Sequence, residues 1–366
     1  MSKQLKYIIS GGGSGGHIFP AVAIANALKR RDPNCSILFV GATGKMEMEK
    51  VPQAGYEIIG LNIAGLQRGS IVKNLALPFK LMSSLMKAFS IVVNYKPDAV
   101  IGVGGYASGP LLFAASVLGK PTIIQEQNAV PGLTNRILSR FANAICTAYE
   151  ELKEIYKGKN VVLTGNPVRS EITSGTISRA DACHYFGLDP NKKIVLLIGG
   201  SLGAGTLNEA VKQNKEAIET SGVQLLWQCG KFYYDKYKDV AEHSSLIQCR
   251  MFIDRMDYAY AAADVVISRG GALSIAELQI VGKPCVLVPS PNVTDDQQTK
   301  NVMALQNKHA AIYVNDKEVK TQLFDTVFHL LSNEEKKAEL SKNLSALAIT
   351  NADERIVDEI YKCIKR

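Results

Sequence analysis

The sequence predicts an α/β protein made of two Rossmann-like parallel-sheet domains in tandem. Three observations predict it. Strands of four to six apolar residues alternate with helical stretches along the whole chain. Near the start, Tyr7 to Val22 reads YIISGGGSGGHIFPAV, a strand, a glycine-rich loop and a helix. After Gly165-Asn166-Pro167-Val168-Arg169 the same order recurs, with Lys193–Ile198, a loop Gly199–Gly205 and a helix from Thr206. Uninterrupted apolar runs are what strands covered on both faces require, and that burial is characteristic of parallel sheets flanked by helices.

Taken in order, the first domain has strands at Tyr7–Ser10, Ser36–Val40, Ala99–Gly102, Pro121–Gln125, Ala144–Thr147 and Val161–Thr164, and its first helix opens near Pro20. The glycine loop between strand and helix can press backbone N–H groups against a phosphate, because glycine accepts positive φ and brings no side chain. Gly11-x-Gly13-x-x-Gly16 is also the dinucleotide pattern, but that reading needs a carboxylate at the end of the second strand. Here the strand ends in Gly41, Ala42 and Thr43, which argues against it. His17 stands where the loop becomes a helix; it is either a functional group beside the bound phosphate or a helix-start histidine satisfied by a backbone carbonyl. The second domain continues with strands at Val223–Gln228, Val265–Ser268 and Cys285–Val288. The division is expected at 1–165 and 166–340 around a cleft, with a helical tail at 341–366.

Composition narrows the function classes. The 366 residues, 46% hydrophobic and 21% charged, suit two ordinary cores. Tyr7 is already in a core strand, which leaves no room for a signal peptide, and no apolar run spans a bilayer, so a cytosolic protein is expected. Seven cysteines without a CxxC pair read as small buried hydrophobes in a reducing compartment. No cluster of Asp and His has convincing metal-ligand spacing, although Asp295-Asp296 could attract a cation loosely.

Charge is divided unequally. Residues 1–166 hold 18 Lys and Arg against 9 Asp and Glu, a net of +9, so the whole-chain +8 leaves −1 for the remainder. On a helical wheel of Lys73–Val93, Lys73, Lys80 and Lys87 form one stripe. Leu75, Leu77, Phe79, Leu81, Met82, Leu85, Met86, Ala88, Phe89 and Val92 fill an apolar arc of roughly 200°, about twice what core packing needs. Apolar residues edged by lysines suit an anionic membrane surface. A helix wedged between two neighbours would show the same arc, and Pro78 interrupts the run. Nucleic acid is not expected as a partner, because no basic cluster is interleaved with aromatics.

In the second domain, Asp264–Arg269 reads as a strand, Gly270-Gly271 as a turn, and Ala272, Leu273 and Ser274 as a helix start whose free N–H groups can hold a diphosphate. Glu277, about one turn in, can accept from a ribose diol, or is simply an acid favoured by the helix dipole. Gln297 and Gln298 follow Asp295-Asp296 and suit the hydroxyls and acetamido group of a sugar, or are surface residues at a helix start.

These residues carry a resemblance. GGGSGGHIFPAVAIA at 11–25, GVGGYASGP at 102–110, QEQNAVPGLTN at 125–135, GNPVR at 165–169, GGSLGA at 199–204, FIDRM at 252–256, SRGGALSIAE at 268–277 and DDQQ at 295–298 together resemble the MurG family, bacterial glycosyltransferases of GT-B fold. The resemblance implies inverting transfer of N-acetylglucosamine from UDP-N-acetylglucosamine to a lipid-linked muramoylpentapeptide, at the cytoplasmic face of the plasma membrane, with no cofactor required and with cell-wall synthesis enzymes as partners. It places uracil at Ile253, ribose on Glu277, diphosphate at Ala272, Leu273 and Ser274 with Ser201 and Arg169, and the sugar on Gln297 and Gln298. Ser14, Gly15, Gly16 and Asn128 would close over this donor. Gly13, Gly104, Gly105 and Tyr106 would cradle the acceptor diphosphate, and His17 would be the base. Lys73, Leu75, Phe79, Lys80, Met82, Met86 and Lys87 would meet the membrane, and the last helix of the 341–366 tail would pack back on the first domain. Ser14, Leu202 and Gly271 stand where the family more often has Thr, Gln and Ser.

Two other classes stay open on the residues. A UDP-sugar 2-epimerase would share the architecture and donor site but needs carboxylates around the sugar and no lipid surface. A non-catalytic nucleotide-sugar sensor would keep Glu277 and the helix start and could dispense with His17.

Overall fold

The computed structural model describes residues 3–63, 77–173, 175–200, 202–293 and 296–365. The chain divides into two compact units. The first comprises residues 1–169 together with 351–366, and the second comprises 170–350.

The first unit is built on seven strands: β1 (Lys6–Gly11), β2 (Ser36–Ala42), β3 (Glu57–Leu61), β4 (Ala99–Gly104), β5 (Thr122–Glu126), β6 (Ala144–Thr147) and β7 (Val161–Leu163), in the order β3-β2-β1-β4-β5-β6-β7. The second has β8 (Ile194–Ile198), β9 (Gln224–Gln228), β10 (Ile247–Arg250), β11 (Val265–Ser268), β12 (Cys285–Leu287) and β13 (Ile312–Tyr313), ordered β10-β9-β8-β11-β12-β13. Every pairing is parallel. In each sheet the order reverses beside the first strand, between β1 and β4 and between β8 and β11. Loops leaving the carboxyl ends there splay apart and open a ligand crevice.

Burial explains the apolar runs. In β8, Ile194, Leu196 and Ile198 belong to one core and Val195 and Leu197 to another on the opposite face. The strands missing from the sequence reading are β3, β10 and β13. All three lie at sheet edges and are only partly buried.

Helix boundaries also differ from expectation. The first helix runs Gly15–Arg31, with Pro20 inside it rather than at its start. The tail expected from 341 as one or two helices is reached by helix Glu334–Ser345, which contains that position and buries Leu340 and Leu344 in the second unit's cores. Helix Ala352–Ile364 instead places Ile356, Val357, Ile360 and Cys363 in the first unit's core, beside Ile24 and Leu28. Its first-turn acids Asp353 and Glu354 meet Arg30 at 2.5 and 2.9 Å, at the carboxyl end of Gly15–Arg31, where cations complement the helix dipole. All seven cysteines are free, and all but Cys249 are buried.

Candidate functional site

In each unit the candidate site residues gather at the carboxyl ends of the strands. In the first unit the two glycine loops leave β1 and β4 side by side. Gly12 N–H donates to Gly104 O at 3.3 Å, and Gly13, Gly104 and Gly105 have φ of +84°, +101° and +90°. A Cβ at Gly105 would collide with the backbone of Gly12, and one at Gly104 would come within 2.8 Å of His17 Nε2. Only glycines allow this approach.

His17 is half-buried, and its Nδ1 lies 2.9 Å from Gly12 O. A carbonyl only accepts, so Nδ1 carries the hydrogen and, in the neutral ring, Nε2 is the bare nitrogen. The backbone-satisfied histidine and the proton acceptor are therefore compatible roles of one ring. Gly13 points its N–H at Glu47 Oε2, 2.9 Å away, so this group is not offered to a phosphate. Ser14, Gly15 and Gly16 open the helix with no acidic residue in its first turn, leaving a positive end for an anion.

Asn128 is set by buried Glu126, whose carboxylate accepts from Asn128 N at 3.1 Å, Gly132 N at 3.1 Å and Asn135 Nδ2 at 2.8 Å. Tyr106, next to Gly105, is exposed. Arg169 is half-buried at the end of the first unit's main segment.

In the second unit, helix Ala272–Val281 starts at Gly271 with no side-chain cap and no acid in its first turn. Ala272, Leu273 and Ser274 are partly exposed there. Beneath the turn, Arg269 bonds Asp316 Oδ1 at 2.5 Å, Thr206 Oγ1 at 2.8 Å and the carbonyls of Val288 and Pro289 at 3.2 Å each. Gly270 has no room for a side chain, since a Cβ would lie 2.5 Å from Val302 Cγ2. Glu277 is half-buried and accepts from the hydroxyl of Tyr260 at 3.0 Å, which fixes its carboxylate. Gln298 uses Oε1 to accept from Ser290 N at 2.8 Å, and Gln297 is partly exposed. The N–H of buried Ile253 donates to Gln228 Oε1 at 2.8 Å, leaving its carbonyl as the backbone group for a base. Ser201 and Asp295 lie outside the described residues. Among the described residues, no three His, Cys, Asp or Glu side chains are grouped to hold a metal.

The sequence reading missed Glu47, Glu126, Arg269 and Gln228, which hold loops rather than face a ligand. The QEQN and SRGG motifs contain two of them. Nothing local singles out Glu47 or Gln228.

Helix Leu77–Tyr95 buries Ser84, Ala88, Ile91 and Val92 and exposes Phe79, Met82 and Met86, at 80%, 59% and 63%. It is not wedged on both sides, so much of its apolar arc is uncovered. Pro78 lies within the helix and does not end it. The neighbouring helix Ser108–Val117 exposes Phe113, which packs edge-on against exposed Phe141 at 6.1 Å. Lys87 Nζ bonds Gly60 O at 2.8 Å, and Lys80 is half-buried. Lys73 and Leu75 lie outside the described residues. No described helix is long and apolar enough to cross a membrane.

Comparison with known proteins agrees with this geometry. Residues 7–147 match the glycosyltransferase family 28 N-terminal domain and residues 194–358 its C-terminal domain. The chain is 53% identical, over 99% of both chains, to the UDP-N-acetylglucosamine–N-acetylmuramyl-(pentapeptide) pyrophosphoryl-undecaprenol N-acetylglucosamine transferase of Flavobacterium psychrophilum. It is 50% identical to the enzyme of that name from Christiangramia forsetii, over 100% of this chain and 99% of the other. The crystal structure of Acinetobacter baumannii MurG superposes with a TM-score of 0.79 at 30% identity, covering 98% of this chain and 100% of that one. The two parallel sheets, the paired glycine loops and this full-length likeness identify the chain as a member of glycosyltransferase family 28, a GT-B fold enzyme of the MurG type.

Proposed function

We propose that the enzyme transfers N-acetylglucosamine from UDP-N-acetylglucosamine, with inversion, to the 4-hydroxyl of the muramoyl sugar of undecaprenyl-diphospho-N-acetylmuramoyl-pentapeptide. The observation that carries the chemistry is His17, whose Nδ1 is committed to Gly12 O while Nε2 remains to take a proton. The hydroxyl gives its proton to Nε2 and its oxygen attacks the anomeric carbon as the bond to UDP breaks. The diphosphate leaves with the electron pair, stabilised by the helix start at Ala272–Ser274 and by Arg169, with Ser201 as a further contact. Glu277 holds the ribose, Ile253 the uracil, and Gln297 and Gln298 the sugar, with Ser14, Gly15, Gly16 and Asn128 contributing to the donor site. The N-terminal glycine loops and Tyr106 hold the acceptor's diphosphate. The relatives' names supply both substrates, and near-complete coverage at 53% identity supports carrying them to this chain.

The exposed apolar stripe of helix Leu77–Tyr95, in a half of the chain with net charge +9, supports docking on the anionic cytoplasmic leaflet. One assay tests the reading. The protein is incubated with labelled UDP-N-acetylglucosamine, with and without the lipid-linked muramoylpentapeptide. Labelled lipid appearing only with acceptor is expected. Free N-acetylmannosamine, or binding without turnover, would overturn the proposal.

A further inference from the structure

Glu47 is fully buried at the start of helix Glu47–Gln53, directly beneath the first glycine loop. Its Oε1 accepts from Ala42 N at the end of β2 and its Oε2 from Gly13 N, both at 2.9 Å. The Gly13 N–H and the Gly12 carbonyl belong to one peptide group, and that carbonyl accepts from His17 Nδ1 at 2.9 Å. A carboxylate, a peptide and an imidazole are thus joined in one file of hydrogen bonds. An anion pulling on the N–H makes the carbonyl at the other end of the same peptide a stronger acceptor, because hydrogen bonds in series polarise one another.

The peptide is also confined. A Cβ on Gly12 would collide with the Glu47 carboxylate, one on Gly41 would come 2.5 Å from Glu47 Cγ, and one on Gly105 would strike the Gly12 backbone. With Glu47 on one side and Gly105 on the other, the 12–13 peptide has little room to turn over. The other partner near His17 Nδ1 is Ser14 Oγ at 3.4 Å, too long to compete while the Gly12 carbonyl is in place. If that carbonyl turned away, the serine could become the imidazole's partner and either ring nitrogen could carry the hydrogen.

We infer that Glu47 is a positioning residue for catalysis: through the Gly12–Gly13 peptide it holds His17 as the Nδ1–H tautomer, with Nε2 bare to receive the acceptor's hydroxyl proton. This rests on the reading of His17 as the base. Glu47 touches neither substrate in this scheme, and both of its oxygens are committed to backbone N–H groups of the protein.

The test reads tautomer and turnover separately. Protein labelled with ¹⁵N-histidine is studied by NMR near pH 8, where a histidine is ordinarily neutral. The His17 signals are assigned by their loss in His17→Ala. The wild type should show a protonated Nδ1 and a bare Nε2. In Glu47→Gln the amide NH₂ must face one of two N–H donors, so the peptide loses its anchor. The tautomer signature should become mixed and kcat should fall about 10- to 100-fold, while the KM for UDP-N-acetylglucosamine stays within about twofold. A folded Glu47→Gln with the wild-type signature would overturn the inference, as would a loss confined to KM. Glu47→Asp keeps the charge but is too short to reach both N–H groups; it serves if the Gln variant does not fold, and the same signature change is expected. Normal turnover in His17→Ala would refute the base assignment alone, because the NMR readout of Glu47's hold on the ring needs no turnover.

Discussion

In the proposed reaction, His17 and Glu277 divide the chemistry between a group that reacts and a group that binds. Replacing His17 with Ala should lower kcat by about 10²-fold or more while calorimetric UDP binding is nearly unchanged. Near-normal turnover would remove His17 from its role. Glu277→Ala should raise the donor KM by about 10- to 100-fold, since charge-assisted hydrogen bonds contribute about 1.5–3 kcal/mol; an unchanged donor KM would refute the ribose assignment. Tyr260→Phe should act in the same direction and more weakly, because it removes only the hydroxyl that orients Glu277. Residues proposed to face a ligand sit in glycine loops and at helix starts, whose local spacing is legible in the sequence. Glu47 was not. The dinucleotide pattern calls for an acid at the end of the second strand, and here the acid arrives five residues after Ala42, folded back to accept that residue's N–H. It is spent on protein donors rather than on a ribose.

At the scale of elements, glycine loops and helix faces make separable predictions. Gly104→Ala and Gly119→Ala both place a side chain at positive φ, at +101° and +66°, which costs about 1–3 kcal/mol. Only the first adds a Cβ against the His17 ring, whereas Gly119 has open space around it. Gly104→Ala should therefore lose kcat well beyond Gly119→Ala at comparable thermal stability, and equal kcat values would dissociate the loop from the imidazole. On helix Leu77–Tyr95, changing Phe79, Met82 and Met86 together to Ser should weaken binding to anionic vesicles at least about tenfold, with donor KM unchanged. Sedimentation showing wild-type partitioning would exclude this stripe as the membrane face. A helical wheel admits both a wedged helix and a surface helix, because a 3.6-residue period reports how wide an apolar arc is and not what covers it. Edge strand β10 escaped notice because Gln248 and Arg250 interrupt its apolar pattern.

The whole molecule is an insertion: residues 170–350 form a unit of their own inside a unit made from both ends of the chain. Ending the protein at Thr350 would remove Ile356, Val357 and Ile360 from the first core, where each apolar side chain contributes about 1.5–3 kcal/mol. The exposed Arg30 and Arg31 ion pairs add little. The truncated protein should lose cooperative unfolding of the first unit, while fragment 170–350 should fold alone and still bind UDP. A wild-type melting profile after truncation would contradict this packing. The order of synthesis follows from the same topology. Domains generally fold as units during translation, but the N-terminal half, though made first, lacks one wall until helix Ala352–Ile364 has left the ribosome. The half proposed to bind the nucleotide can mature first on the nascent chain, whereas the half proposed to meet the lipid waits for a helix made after its partner half. A chain released before that helix is made should therefore take up the sugar nucleotide and be poorly built to hand the sugar on.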